Sequence, residues 1–149
     1  MLIPRLIHAD ELHALLDLYQ HLHTTDASRP DAAQLNLVWS EMLADPRLRC
    51  FVAEQAGQLI GSCTLVIVPN ISRGARSYGL IENVVTHLDF RRQGVGTGLL
   101  RHALQTAWQA NCYKVMLLTG SKREETLRFY EGAGFRRDAK TGFVALPHD

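Results

Sequence analysis

Apolar residues recur at two spacings along this chain, and the alternation between them sets out the elements. Ile3 to Ile7 reads as a short first strand. Leu12, Leu15, Leu16, Tyr19 and Leu22 then fall three and four residues apart, which is the helical period. Asp10 is the expected N-cap, Glu11 lies in the first turn, and the helix is predicted to run to about His23. Thr24 to Pro30 is polar and turn-like. Asp31 opens a second helical pattern through Leu35, Val38, Trp39, Met42 and Leu43, closed by Asp45-Pro46. Cys50 to Glu54 and Leu59 to Val68 have strand character, joined by a hairpin turn at Ala56-Gly57-Gln58. Gly61, inside the longer run, marks a bulge or a close backbone approach. Pro69 to Ser77 is a loop. Ile81 to Thr86 is a buried strand rich in β-branched residues. From about Gly94 to Ala110 the helical period returns in Leu99, Leu100, Ala103, Leu104 and Ala107. Lys114 to Thr119 is predicted as a fifth strand. Glu124 and Glu125 favour the start of a short helix carrying Leu127, Phe129 and Tyr130, which Gly134 stops. Phe135 to Ala145 is predicted as a final strand or strand pair, interrupted by polar Asp138 to Thr141. No repeat or linker divides the chain. The alternation predicts one domain over residues 1–149, a mixed α/β sheet with helices on both faces.

Composition narrows the class. The 149 residues are 46% hydrophobic, enough for a core without staples. A formal net charge of +1 argues against a general nucleic-acid binder. There is no apolar run of about 18 residues, so no transmembrane helix is expected. Met1-Leu2-Ile3-Pro4-Arg5-Leu6 lacks a signal-peptide pattern. Cys50, Cys63 and Cys112 are scattered and read as buried reduced thiols, which points to the cytoplasm. His21 and His23 sit close together, but no third ligand is spaced to join them, so no metal is expected.

The chemistry concentrates after the strand Ile81–Thr86, in Arg91-Arg92-Gln93-Gly94-Val95-Gly96-Thr97-Gly98. A glycine turn at a helix start leaves backbone N–H groups unpaired and pointing one way. With the positive end of the helix dipole they form an anion site, and Arg91 and Arg92 add charge beside it. The same glycines also fit a plain tight connection. The dinucleotide fingerprint needs G-x-G-x-x-G, whereas position 99 is leucine, and the P-loop needs a lysine that is absent.

The spacing Arg91-x-x-Gly94-x-Gly96 resembles the acyl-CoA-binding motif of the GNAT superfamily of N-acetyltransferases. Leu127-Arg128-Phe129-Tyr130-Glu131-Gly132-Ala133-Gly134-Phe135 resembles that superfamily's second signature, a tyrosine helix running into a Gly-Phe turn. The two stand in the family's order. The resemblance implies the GNAT acyl-CoA N-acyltransferase fold: a central mixed, mostly antiparallel sheet flanked by helices, with the fourth and fifth strands splayed. It implies acetyl-CoA as co-substrate and direct transfer of the acetyl group to a primary amine. The backbone of Asn83, Val84 and Val85, with Thr86, is expected to hold the pantetheine arm and the thioester oxygen. Arg91, Arg92, Gln93, Gly94, Val95, Gly96 and Thr97 are expected at the pyrophosphate. The family commonly carries an asparagine ahead of the tyrosine helix; this chain reads Thr119-Gly120-Ser121-Lys122-Arg123, so either Thr119, Ser121 or Arg123 is expected to substitute or the contact is lost.

Glu82, a carboxylate in an apolar strand, is the expected base for the amine, with a structural carboxylate or substrate anchor as the other reading. Tyr130 is the expected acid for the departing thiolate or a hydrogen-bond donor to its sulfur, with a core tyrosine on an amphipathic helix as the other reading. Tyr19 and Trp39 lie where GNAT proteins place a substrate-side wall; they either touch substrate or pack the core. Arg73 and Arg76 either bind an anionic substrate group or form a solvated loop. Gly79-Leu80-Ile81-Glu82-Asn83-Val84-Val85 and Asn111-Cys112-Tyr113-Lys114-Val115-Met116-Leu117 resemble glucosamine-6-phosphate N-acetyltransferases, whose pattern has aspartate in place of Asn83. The expected acceptor is a small amine, an amino sugar or amino acid derivative. The alternatives are a protein or peptide acceptor, and a non-catalytic acyl-CoA-binding module. By analogy with the family a homodimer is expected, with no nucleic-acid or membrane partner.

Overall fold

The long apolar run becomes the central strand because both of its faces are covered. The computed structural model describes residues 2–22 and 30–148. The strands are β1 (Arg5–Leu6), β2 (Leu48–Gln55), β3 (Gln58–Val68), β4 (Tyr78–Thr86) and β5 (Val115–Leu117). They lie in the order β1-β2-β3-β4-β5, antiparallel throughout except for parallel β4 and β5. A parallel pair needs a crossover, supplied here by α3 (Val95–Gln109). This helix buries Val95, Leu99, Leu100, Ala103 and Ala107 against Ile60, Cys63, Leu65 and Ile81 on one face of the sheet. The other face carries α1 (Leu12–Tyr19) and α2 (Ala32–Ala44), which pack Leu12, Leu15, Leu18 and Trp39 on Cys50, Val52, Leu59 and Val85. The last helix is α4 (Glu124–Gly132).

Two irregularities shape the centre of the sheet. Ala53 pairs with Gly61 but Glu54 pairs with Leu59, so Ile60 is an extra residue on β3. A Cβ on Gly61 would lie 2.6 Å from Val95 Cγ1 and 2.8 Å from Leu99 Cδ1, so the glycine also lets α3 approach closely. On the other side, Ser62 pairs with Val85 and Thr64 with Glu82. Asn83 and Val84 therefore face the single residue Cys63, a bulge on β4, and Asn83 takes a left-handed φ of 55°.

Several expectations are corrected. The 3-10 turn Ala9–Glu11 precedes α1, and Glu11 rather than Asp10 does the capping: its Oε2 accepts from the His8 N–H at 2.7 Å. Arg5 Nη2 donates to Glu11 Oε1, also at 2.7 Å. The α1 helix ends at Tyr19, and turn bonds such as Leu22 N to Tyr19 O carry the chain onward. The expected helix end at His23 and the polar turn from Thr24 lie outside the described residues as far as residue 29. Asp31, where the second helical pattern opens, is the N-cap of α2 and accepts from Gln34 N at 2.9 Å. All three cysteines are free and buried. The largest difference is at the end of the chain, where residues 135–146 form no strand. Paired β5 is only three residues long, so its edge is short, and Phe143 is 90% exposed rather than packed. No described helix is long and apolar enough to cross a membrane.

Candidate active site

The site begins where the parallel pair comes apart. β4 and β5 pair only at Gly79–Val115, Leu80–Met116 and Ile81–Leu117. From Glu82 to Thr86, β4 continues without a described strand on that side, so its backbone groups face an opening. At its end the chain turns through His87–Phe90 to Gly94, whose φ of 82° and place at the N-cap of α3 need a residue without a Cβ. The first turn of α3, Val95 to Thr97, presents N–H groups with no intrahelical acceptor. Gly96 allows α4 to come close: a Cβ there would lie 2.8 Å from Phe129 Cζ and 3.0 Å from Cε1.

These pieces enclose a cleft of about 620 Å³. One wall is Val84, Val85 and Thr86; the floor is Gly94, Val95, Gly96 and Thr97; the far wall is Ser121, Thr126, Phe129 and Tyr130 of the α4 segment. A row of backbone donors at a helix start, beside apolar walls, suits a long ligand with a pyrophosphate and a thin apolar arm. Arg91 and Arg92 stand at the lip. Arg91 is committed to holding the turn: it donates to Thr86 O at 3.3 Å and His21 O at 3.1 Å. Arg92 reaches across the mouth to Glu125 at 3.6 Å. Gln93 lies outside the cleft wall and donates to Asp89 O at 3.4 Å.

Tyr130 lines the cleft together with Val84, Val85 and Thr86, the part of β4 beyond its pairing with β5. Burial pushes its phenol above the ordinary value, and the Thr119 hydroxyl beside it pulls partly the other way. The phenol is therefore a neutral donor at physiological pH. Thr119 Oγ1 also accepts from Ser121 N at 3.2 Å, so it supports the segment from behind rather than lining the cleft. Glu82 is exposed, one residue before the bulge, and paired with Thr64 across β3.

The expected substrate residues are not gathered at one place. Tyr19 lies over the sheet beside Thr64 and Asn83. Trp39 is buried in the core on the α1 face, and its indole N–H donates to Ala9 O at 2.8 Å. It also borders a smaller apolar groove of about 300 Å³ between β1 and α2, remote from Tyr130 and Glu82. Arg73 and Arg76 sit before β4, at the end of the sheet away from the glycine turn. Arg73 lies 5.8 Å above the Tyr113 ring, and Arg76 donates to the carbonyls of Asn111 and Cys112 at 3.2 and 3.1 Å. The structure places Ser121 and Arg123, two of the three expected substitutes, on the cleft, and adds cleft residues given no role from the sequence: His21, Glu125, Thr126 and Phe129. His21 stacks on His87 with ring centroids 4.2 Å apart, and no local spacing announces a contact between residues so far apart in the chain.

A parallel pair opened over a glycine-rich helix start, with a phenol facing the gap, defines an acyl-CoA-dependent acyltransferase. Residues 12–135 match the acetyltransferase (GNAT) family, and the chain belongs to that family. It is 33% identical over 138 residues to a glucosamine 6-phosphate N-acetyltransferase of Trypanosoma brucei brucei, covering 89% of this chain and 87% of that protein. Among solved structures, a putative acetyltransferase from Agrobacterium tumefaciens shares 44% identity at a TM-score of 0.89, covering 96% of this chain and 98% of that one. Glucosamine-6-phosphate N-acetyltransferase from Arabidopsis thaliana has the same fold at 20% identity and a TM-score of 0.85, covering 100% and 99% of the two chains. This chain is an acetyl-CoA-dependent N-acetyltransferase close to the glucosamine-6-phosphate N-acetyltransferases.

Proposed function

We propose that the enzyme moves the acetyl group of acetyl-CoA directly to the primary amine of a small amino sugar phosphate, of the glucosamine 6-phosphate kind. The observation that carries the reading is the β4–β5 opening with Tyr130 on its far wall. Likeness to the trypanosomal enzyme over most of both chains supports the acceptor class. Pyrophosphate oxygens accept from the N–H groups of Val95, Gly96 and Thr97. The pantetheine arm lies along Val84–Thr86, and the bulge backbone at Asn83–Val85 donates to the thioester oxygen as charge develops there, worth up to about 3 kcal/mol. The amine approaches from the α1 face of β4. As its nitrogen bonds to the acetyl carbon, the Glu82 carboxylate receives the proton it loses. The carbon–sulfur bond breaks, and the Tyr130 phenol gives its proton to the leaving thiolate.

The test is thiol release from acetyl-CoA across glucosamine 6-phosphate, glucosamine, amino acids, polyamines and short peptides. The expected result is fastest release with the phosphorylated amino sugar. Release only with peptides would replace this acceptor with a protein one.

A further inference from the structure

Three arginines line the cleft, and they are held in different ways. Arg91 is tied to the carbonyls of Thr86 and His21. Arg92, on the turn before α3, and Arg123, the N-cap of α4, stand on opposite lips of the opening. Both meet one carboxylate, and both meet it loosely. Arg92 Nη2 lies 3.6 Å from Glu125 Oε2, and Arg123 Nη2 lies 3.5 Å from Glu125 Oε1. All three side chains are exposed. Arg137 shows what a closed ion pair looks like on α4, since Glu124 and Glu131 hold it at 2.9 and 2.6 Å. Among the described residues neither Arg92 nor Arg123 has a second acidic partner, so two positive charges share one negative charge.

The backbone fixes where these side chains start. Arg92 takes a left-handed φ of 63°, which glycine adopts freely and a residue with a Cβ adopts only at a cost. Arg123 N donates to Ser121 Oγ at 3.3 Å, and Ser121 Oγ meets Thr126 Oγ1 at 3.1 Å, so the entry to α4 is held. Glu125 lies in the first turn of α4, where the helix dipole favours a carboxylate with or without an arginine beside it. Releasing it from two loose, exposed pairs therefore costs little. Acetyl-CoA carries a pyrophosphate and a separate phosphate monoester on its ribose. The start of α3 supplies donors for the pyrophosphate alone. The monoester carries nearly two negative charges near neutral pH and three acceptor oxygens, and guanidinium forks pair with such oxygens two at a time.

We propose that Arg92 and Arg123 form the subsite for the ribose 3′-phosphate of acetyl-CoA, and that Glu125 bridges them in the free enzyme and gives way to it. The phosphate displaces the carboxylate because it brings more charge and more oxygens to the same two cations. The mouth of the cleft thereby selects the complete cofactor over forms that lack this phosphate, at a distance from the reacting atoms. The inference rests on the proposed place of the pyrophosphate at the start of α3.

The experiment measures by calorimetry, with no acceptor present, the Kd of acetyl-CoA and of acetyl-dephospho-CoA, which lacks only the 3′-phosphate. Wild type should bind acetyl-CoA about tenfold more tightly, and the advantage should shrink as salt is raised. In the double variant Arg92→Gln with Arg123→Gln the two Kd values should agree within about twofold. Because the ratio is taken within one protein, a general loss of affinity cancels from it. Glu125→Gln removes the competing carboxylate and should widen the ratio by about threefold. Equal Kd values in wild type overturn the inference, and so does a wild-type ratio kept in the double variant. A ratio that Glu125→Gln leaves unchanged or narrows overturns the exchange. A wild type that binds neither thioester contradicts the cofactor site itself, which separates that failure from the failure of this subsite.

Discussion

The two sides of β4 are built by different means. On the β5 side, the proposed cofactor wall is mostly backbone, from Val84 through the turn to Thr97, and it is contiguous in sequence. On the α1 side, the proposed acceptor wall draws side chains from separate segments: Tyr19 of α1 stands beside Asn83, and Glu82 precedes it on β4. A backbone site needs glycines in the right order at a helix start, and a short motif can state that. A side-chain site needs the whole sheet to bring its members together.

Substitutions should separate the two walls. The largest effects belong to the groups proposed to carry protons. Glu82→Gln and Tyr130→Phe should each lower kcat by about a hundredfold, while the acetyl-CoA Kd, measured by calorimetry, stays within about threefold. Wild-type turnover in either variant removes that residue from the chemistry. Gly96→Ala should do the opposite. Its new Cβ would meet the Phe129 ring at 2.8 Å and push α4 from the turn. Acetyl-CoA affinity should fall about tenfold, with roughly 1–3 kcal/mol of stability lost in thermal melts. An unchanged Kd would show that the turn does not touch the cofactor. The smallest effect concerns the start of α1, the helix that carries Tyr19. Arg5 holds the Glu11 carboxyl down at about 2, from an ordinary 4.5. The fold therefore favours the ionised form, whose contribution is complete above about pH 4.5 and is lost as the pH falls through about 2. Glu11→Gln should melt earlier at neutral pH by about 1 kcal/mol, and the difference from wild type should close in acid. A constant difference at all pH values would mean that the ion pair contributes nothing.

The same contrast explains what was legible in the sequence. The strand, turn and helix from Ile81 to Ala110 could be read from β-branched residues, three glycines and a helical period, because each signal is local. The α4 helix was legible from Glu124, Glu125 and Gly134 for the same reason. The pairing of Thr64 with Glu82 was hidden, since a β-branched residue in an apolar run reads as one more strand position and only the register sets the two side by side. Arg76 looked like a free cation on a loop. Its engagement with the carbonyls at Asn111 and Cys112 depends on where α3 ends in space. The segment from Phe135 to Ala145 reads as a strand or strand pair broken by polar Asp138 to Thr141, but a local pattern cannot report whether a neighbouring edge is long enough to pair with it. At the start of α1, Asp10 and Glu11 are both plausible caps by composition. The choice fell to Glu11 because its longer side chain reaches back to His8 while also meeting Arg5.

The most direct measurement is a crystal structure of the acetyl-CoA complex. The account predicts pyrophosphate oxygens on the N–H groups of Val95 to Thr97, the pantetheine arm along Val84–Thr86, and the thioester sulfur within hydrogen-bonding distance of the Tyr130 hydroxyl. A cofactor bound elsewhere, or one whose sulfur lies far from both Tyr130 and the Asn83 bulge, would contradict it.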